Sequence, residues 1–288
     1  MPQVSKVTGI SDEAAASLDQ QIACHLALGW PHLELRSISG LPIGRLPAND
    51  LEAAVDKLLV NSIAVPVLAS QIGNWGRQIE GDFEEDIKEL NILLEIADRL
   101  GTRMIRIMSY PNRNLSERLW RKAAVERIAR LTHIAGRRDI VLLHENCAGW
   151  AGQSAEHSLD MLRTVDSEYL KLLFDLGNGL SYGYGSLDFL QAVWEDVAHV
   201  HLKDAIQTAE GVRYQELGKG DAEAIECIDF ILSKGYEGWF SIEPHLSLIP
   251  HLNVTDADQE RKQGTYLKFA QRAEQIICDR QGQAHAIF

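Results

Sequence analysis

Short runs of β-branched and aliphatic residues alternate along this chain with longer stretches in which apolar residues recur at helical spacing. That is the pattern of strand-helix units laid against a parallel sheet. The strand signature falls on Val4–Ile10, His32–Ile38, Ala64–Gln71, Met104–Tyr110, Ile140–Cys147, Lys171–Gly177, Ala198–Asp204 and Gly238–Pro244. Helices are predicted over Glu13–Leu28, Asn49–Asn61, Phe83–Leu100, Leu115–Ala135, Ala155–Val165, Ser186–Asp196, Asp221–Lys234 and Asp258–Cys278. Gly29, Gly101, Gly136 and Gly235 stand just past helix ends, and Asn49-Asp50 opens another helix.

Eight such units predict an α/β chain folded as a single-domain (β/α)8 TIM barrel over residues 1–288, with the last ten or so forming a frayed tail. An open doubly wound sheet is the alternative. It would want G-x-G-x-x-G after the first strand, and Val7-Thr-Gly-Ile-Ser-Asp offers nothing of the kind. Leu217-Gly-Lys-Gly-Asp resembles a phosphate cradle but lacks P-loop spacing. The longest irregular stretches, Ser70–Asp82 and Ala205–Gly220, follow predicted strands, where a barrel carries its functional loops.

Composition narrows the partners. With 288 residues, 45% hydrophobic and 24% charged, the chain can bury a large core and matches the size of one barrel. The first ten residues lack a basic region followed by an apolar one, and no apolar run reaches the ~18 residues that span a bilayer, so a cytoplasmic protein without membrane contact is expected. Cys24, Cys147, Cys227 and Cys278 lie far apart and form no C-x-x-C pair, which predicts reduced thiols. The net charge of −13 is spread along the chain with no basic run, which argues against a nucleic-acid partner.

The chemistry gathers at the ends of the last four predicted strands. Glu145 closes Ile140-Val-Leu-Leu-His-Glu-Asn-Cys, Asp175 closes Leu172-Leu-Phe-Asp, His201 lies in His199-Val-His-Leu-Lys-Asp, and Glu243 lies in Trp239-Phe-Ser-Ile-Glu-Pro-His. Strand parity puts Glu145 on the face of Leu143 and Cys147 and turns His144 toward the helices. Three carboxylates and an imidazole at one mouth would repel and lose hydration, so either some are protonated or a cation neutralises them. A divalent ion is the economical answer, and oxygen ligands with one imidazole suit Mn2+ or Mg2+ better than a structural zinc.

The ordered set Leu143-His-Glu-Asn, Phe174-Asp-Leu-Gly-Asn, His199-Val-His-Leu-Lys-Asp, Leu217-Gly-Lys-Gly-Asp and Ser241-Ile-Glu resembles the sugar phosphate isomerase/epimerase family of xylose-isomerase-like barrels, over nearly the whole chain. The resemblance implies one divalent metal, Mn2+ favoured with Mg2+, Co2+ or Zn2+ as alternatives, held by Glu145, Asp175, His201 and Glu243. It also implies that Glu145 and Glu243 move protons at a carbon beside a carbonyl while the metal stabilises the enediolate. Two positions depart from the family pattern. Asn178 stands where many relatives carry a histidine, and an amide does not titrate; Cys147 stands where relatives often have His.

Other residues rank lower. Lys203 shares the His201 face and Asp204 follows it; one of the two is read as a partner that supports the ligands and the other as a solvated turn residue, with Lys203 the better site candidate. Glu34 and Arg36 share a strand face and either bind substrate hydroxyls or pair with each other. Arg213 is a substrate contact or a surface residue. Trp75, with Asn74, is a specificity candidate that could stack on a sugar face. His199 is read as a core histidine and His245 as a loop histidine.

The expected activity is therefore a metal-dependent isomerase or epimerase of a sugar, keto-sugar or related polyol. A dehydratase or lyase using the same enediolate is the alternative. A metal-binding subunit that needs a partner is a second class, and a homo-oligomer is compatible with either. Endonuclease IV-like DNA repair is disfavoured, because it needs three metals and the segments after Val65 and Met104 supply no strand-end histidines.

Overall fold

The structure is a computed structural model that describes residues 6–252, 254–255 and 258–285. Its parallel strands are β1 (Lys6–Gly9), β2 (Val67–Ala69), β3 (Met104–Ser109), β4 (Val141–Gly149), β5 (Leu170–Asp175), β6 (Val197–Leu202) and β7 (Trp239–Ile242). The principal helices are α1 (Leu18–Ala27), α2 (Ala48–Val60), α3 (Glu84–Leu100), α4 (Glu117–Gly136), α5 (Ala155–Val165), α6 (Ser186–Val193), α7 (Ala224–Ser233) and α8 (Gln259–His285). The chain divides into two compact units, one of Met1–Trp30, Phe174–Ala192 and His199–Phe288, the other of Pro31–Leu173 and Val193–Ala198.

In the second unit β2 pairs with β3, β3 with β4, and β4 with β5, all parallel, with Met104 opposite both Val67 and Val141 and Glu145 opposite Leu173. These strands are buried almost throughout, which is why they read as continuous apolar runs rather than alternating ones. Val67, Leu143 and Leu173 pack together at their centre against Met104, Val141 and Ala198. The β3–β4 register shifts between Ile107 and Ser109, where Ser109 pairs with Gly149. At Gly149, with φ +101°, a Cβ would stand 2.3 Å from the Ser109 carbonyl carbon, so the close approach requires glycine.

The first unit holds β1, β7 and the end of β6. Gly9 pairs with Ile242 and Ser241 with His201, while the Leu176 amide donates to the His201 carbonyl just past the end of β5. Helix α8 is pinned to α1 by Tyr266 Oη against His25 Nε2 at 2.9 Å. A Cβ on Gly9 would meet that tyrosine oxygen at 2.1 Å.

Helix boundaries follow local chemistry. Ser154 caps α5 by accepting the His157 amide, and α5 covers the predicted range. Gly101, in the left-handed conformation, closes α3. Helix α1 starts at Leu18 rather than Glu13 because Ser17 accepts the Gln20 amide, leaving Ser11–Glu13 as a separate 3-10 turn. The final helix reaches His285; residues 286–288 of the expected tail, and Val4-Ser5 of the expected first strand, lie outside the described residues.

Two expectations need correction. His32–Ile38 is not a continuous strand: His32 and Leu35 make isolated parallel bridges to Ala64 and Leu68, and Ser37-Ile38 turns back on Leu41-Pro42. The stretch 205–220 is not irregular, since Ala205–Thr208 and Gly211–Tyr214 form an antiparallel hairpin. Among the described residues, no helix is long and apolar enough to cross a membrane.

Candidate metal centre

Asp175, His201 and Glu243 come together in the first unit, each at the end of a parallel strand or just past it and each buried. His201 Nδ1 lies 3.9 Å from Asp175 Oδ2 and 3.5 Å from Glu243 Oε2. The other oxygen of Asp175 is committed to the backbone: Oδ1 accepts the Gly177 amide at 2.8 Å and the Asn178 amide at 3.0 Å. Those bonds fix the rotamer and turn Oδ2 toward the histidine. Two carboxylate oxygens and an imidazole nitrogen, buried and this close, form a donor set that fits a divalent cation of borderline or hard character.

Lys203 enters the same group. Its Nζ lies 2.7 Å from Asp175 Oδ2 and 2.6 Å from Glu243 Oε2, and 3.4 Å from the side-chain oxygen of Asn178. Gly177 makes this possible, because a Cβ there would meet the Lys203 Cγ at 2.6 Å. Burial by itself would raise the Glu243 carboxyl, but Lys203, then His245 and His201, outweigh it and hold the group well below the usual carboxylate range.

Asp204, far from being a solvated turn residue, is buried and latches the following loop. Its carboxylate accepts the amides of Ala205, Gly218 and Gly220. The Leu217-Gly-Lys-Gly turn is therefore organised around a carboxylate of its own chain. Arg213 is exposed on the hairpin, whereas its neighbour Tyr214 lies with its ring 6.0 Å from Lys203 Nζ. Alternation along a strand sends the two to opposite faces. His199 is fully buried, edge-on to His201 at 5.4 Å, in keeping with a core histidine.

His245 is more than a loop residue. It is buried, takes φ +52°, and is held by Glu13, whose Oε2 accepts its amide and whose Oε1 faces ring Nδ1, both at 2.8 Å. A left-handed non-glycine residue costs about 1–3 kcal/mol and persists where its surroundings fix it. Glu13 was hidden in the sequence as an ordinary first-turn acid; its position just after the first strand was the available signal.

In the second unit Glu145 lies in the middle of β4 rather than at a strand end, because that strand runs on to Gly149; it is buried, with Oε2 2.9 Å from Arg106 Nη1 of β3. Arg106 escaped the sequence reading, although a lone arginine inside Met104-Ile-Arg-Ile-Met-Ser was a visible signal. His144 points the other way, into packing where burial pushes its imidazole down to about 3. Glu34 and Arg36 are buried. Trp75 is half-buried in a loop held by Asn74 Oδ1, which accepts the Gly76 amide, and by Arg77, which pairs with Asp86 and Glu89 of α3. All four cysteines are free thiols, Cys24 and Cys227 buried.

Residues 27–264 match the family model described as xylose isomerase-like TIM barrel, and the chain belongs to that family. The resemblance read from the motifs holds at that level. Among curated proteins the chain is 26% identical over 144 residues to an inosose dehydratase of Geobacillus kaustophilus (strain HTA426), covering 45% of this chain and 46% of that protein. The chain thus spans about half the length of this curated relative. Among solved structures, the IOLI protein with a zinc atom superposes with a TM-score of 0.71 at 16% identity, covering 97% of this chain and 99% of that one. The 3-keto-D-glucoside 4-epimerase YcjR from E. coli, in its apo form, gives 0.68 at 14% identity, covering 93% and 99%. These structural likenesses carry the fold.

Proposed function

We propose that this chain is a divalent-metal-dependent isomerase or epimerase of small keto-sugars or keto-polyols, acting by proton transfer beside the carbonyl. The observation that carries the reading is the buried meeting of Asp175, His201 and Glu243 with the Lys203 ammonium beside two of them. Asp175 and His201 act as ligands. Glu243 acts as ligand and proton carrier, and Glu145 joins it in both roles on the strength of the motif order Leu143-His-Glu-Asn to Ser241-Ile-Glu. Mn2+ is the favoured ion, on the hardness of a mainly carboxylate donor set.

When bound, the metal supplies electrophilic stabilisation to the carbonyl oxygen, worth several kcal/mol. One glutamate takes the proton from the adjacent carbon, and the C–H electron pair becomes the carbon-carbon double bond of the enediolate as charge moves onto oxygen. Return of a proton from the other glutamate on the opposite face inverts the carbon. Lys203 balances the carboxylates when the ion is absent, and Asn178 hydrogen-bonds without carrying a proton. Glu34 and Trp75 supply substrate contacts, and Arg213 reaches substrate only from the outer face of its hairpin.

Dehydration is the second reading, favoured by the inosose dehydratase similarity. It shares the first proton abstraction and differs in expelling the hydroxyl on the next carbon as water. An unphosphorylated substrate is supported by Asp204, which already occupies the Gly218 and Gly220 amides that a phosphate would need. A small carbohydrate, with neither nucleic acid nor membrane, is the proposed partner; a second copy or a partner subunit is compatible with it.

The deciding experiment incubates the Mn2+-loaded chain in D2O with a panel of keto-hexoses and inosose. Deuterium at the carbon beside the carbonyl is expected, with epimer or dehydrated product resolved by NMR. Turnover without exchange would replace the enediolate with a hydride shift. Elemental analysis should find one divalent ion per chain, lost in Glu145→Gln and His201→Ala; full retention in both variants would sink the ligand set.

A further inference from the structure

The Glu13–His245 pair takes no part in the ligand set or in the proton transfer described above, yet it is built with more constraint than a loop tether needs. Glu13 is buried at the end of the turn that follows β1, and each of its oxygens faces one residue 232 positions away. Oε2 accepts the backbone amide of His245 and Oε1 faces Nδ1. The backbone at His245 sits in the left-handed region, and the Tyr214 ring stands edge-on to the imidazole at 4.8 Å and 89°. His251 lies beyond, its ring 5.6 Å from that of His245. Rotamer, backbone and ring plane are therefore all specified.

The consequence lies at the other ring nitrogen. An ionised carboxylate only accepts hydrogen bonds, so the ring nitrogen that faces Glu13 carries the hydrogen. Nε2 is then directed away from Glu13, to 3.9 Å from Glu243 Oε1, on the side of Glu243 opposite the oxygen that faces His201 and Lys203. The ring cannot flip without turning a carbon toward the carboxylate.

We propose that Glu13 is a positioning residue that aims His245 Nε2 at an oxygen of the bound substrate beside Glu243, which makes the pair a specificity determinant for a polyhydroxylated ketone. The inference rests on the proposed function, because it needs a hydroxyl-bearing substrate at Glu243. It does not depend on a change of protonation, since Nε2 bonds a hydroxyl either as donor or as acceptor. A hydroxyl missing or inverted at that place forfeits the bond to Nε2, and loss of a polar match discriminates better than apolar fit.

The test uses the full chain loaded with Mg2+, which leaves NMR lines sharp. Nitrogen-15 histidine spectra of the wild type are recorded with and without saturating inosose or a keto-hexose. The His245 Nε2 resonance should move while Nδ1–H stays bonded to Glu13. Steady-state kinetics then compare Glu13→Gln, His245→Phe and the double variant, with metal content measured in parallel. Each single variant should raise KM by about tenfold, the worth of one hydrogen bond, with a much smaller change in kcat and with metal stoichiometry intact. The double variant should be no worse than His245→Phe, since Glu13 acts through His245.

Additive KM effects, or variants that lose thermal stability at unchanged KM, would make the pair a structural tether and overturn the inference. An Nε2 resonance that does not move while deuterium exchange proceeds overturns it without any variant and leaves the proposed function standing. Absence of exchange with every ketone in the panel removes the proposed function, and this inference with it.

Discussion

Lys203 Nζ and Glu243 Oε2 lie 2.6 Å apart in a setting almost closed to solvent, and the same ammonium reaches Asp175 Oδ2 at 2.7 Å. One positive charge thus answers two buried carboxylates where water cannot. Removing it takes the nearest positive charge from both, a change that typically costs about 3–5 kcal/mol. Lys203→Met should therefore unfold at markedly lower urea concentration in the presence of chelator. Added Mn2+ should restore much of the loss, because a ligand at a hundredfold its Kd stabilises by about 2.7 kcal/mol. Equal midpoints for variant and wild type in chelator would show that the ammonium does not balance these charges.

Glu243 sets an acid limit. Its folded pKa is held below the ordinary value of 4.5, so its contribution to stability is present above that value and is lost as pH falls through the depressed one. The urea midpoint of the metal-free chain should drop on acidification below about pH 4.5, with a slope near 1.4 kcal/mol per pH unit for each extra proton taken up on unfolding. Glu243→Gln removes this group's share and should flatten the acid limb. An unchanged limb in the variant would assign the acid sensitivity elsewhere.

The parts of this architecture that were legible in the sequence share a physical cause. Strands β3 to β5 are apolar on both faces, so runs such as Ile140-Val-Leu-Leu announce themselves, and α5 carries its own serine cap. The segment after Pro31 alternates as a strand would, yet it contributes only the isolated bridges of His32 and Leu35, a break that local pattern does not announce. Asp175, His201 and Glu243 were readable because a polar residue at the end of an apolar strand is conspicuous. Glu13 was not: its meaning comes from His245, and local pattern does not reach 232 residues. The sequence draws attention to Arg213 and not to Tyr214, because the hairpin that sets the parity of that stretch has no local signature there.

The Asp204 latch predicts a loop that tolerates little change. A Cβ on Gly220 would stand 2.1 Å from Asp204 Oδ1 and 2.4 Å from the Ala205 carbonyl oxygen, so backbone as well as side chain must give way. Gly220→Ala should cost about 1–3 kcal/mol, in the range of other overpacking changes. Asp204→Ala leaves the Ala205, Gly218 and Gly220 amides without their acceptor, each such loss costing about 1–3 kcal/mol where water cannot substitute. Hydrogen exchange at Gly218 and Gly220 should accelerate in Asp204→Ala; unchanged protection would mean that the turn holds itself.

Arg106 and Glu145 form an ion pair within the second unit, 2.9 Å apart with both side chains almost fully buried. Two charges moved out of water recover part of that cost through each other, so breaking the pair from one side should be far worse than replacing both. Arg106→Met is expected to destabilise the chelated chain by about 3–5 kcal/mol, while Arg106→Met combined with Glu145→Leu should return most of that loss. Because Glu145 is also a proposed ligand, the two variants separate its duties: the double variant regains stability without regaining metal, whereas Arg106→Met keeps the carboxylate and gains stability when Mn2+ is added. If the double variant is no more stable than Arg106→Met in urea, the pair is not the source of the energy and the arginine acts through packing of its stem on β3.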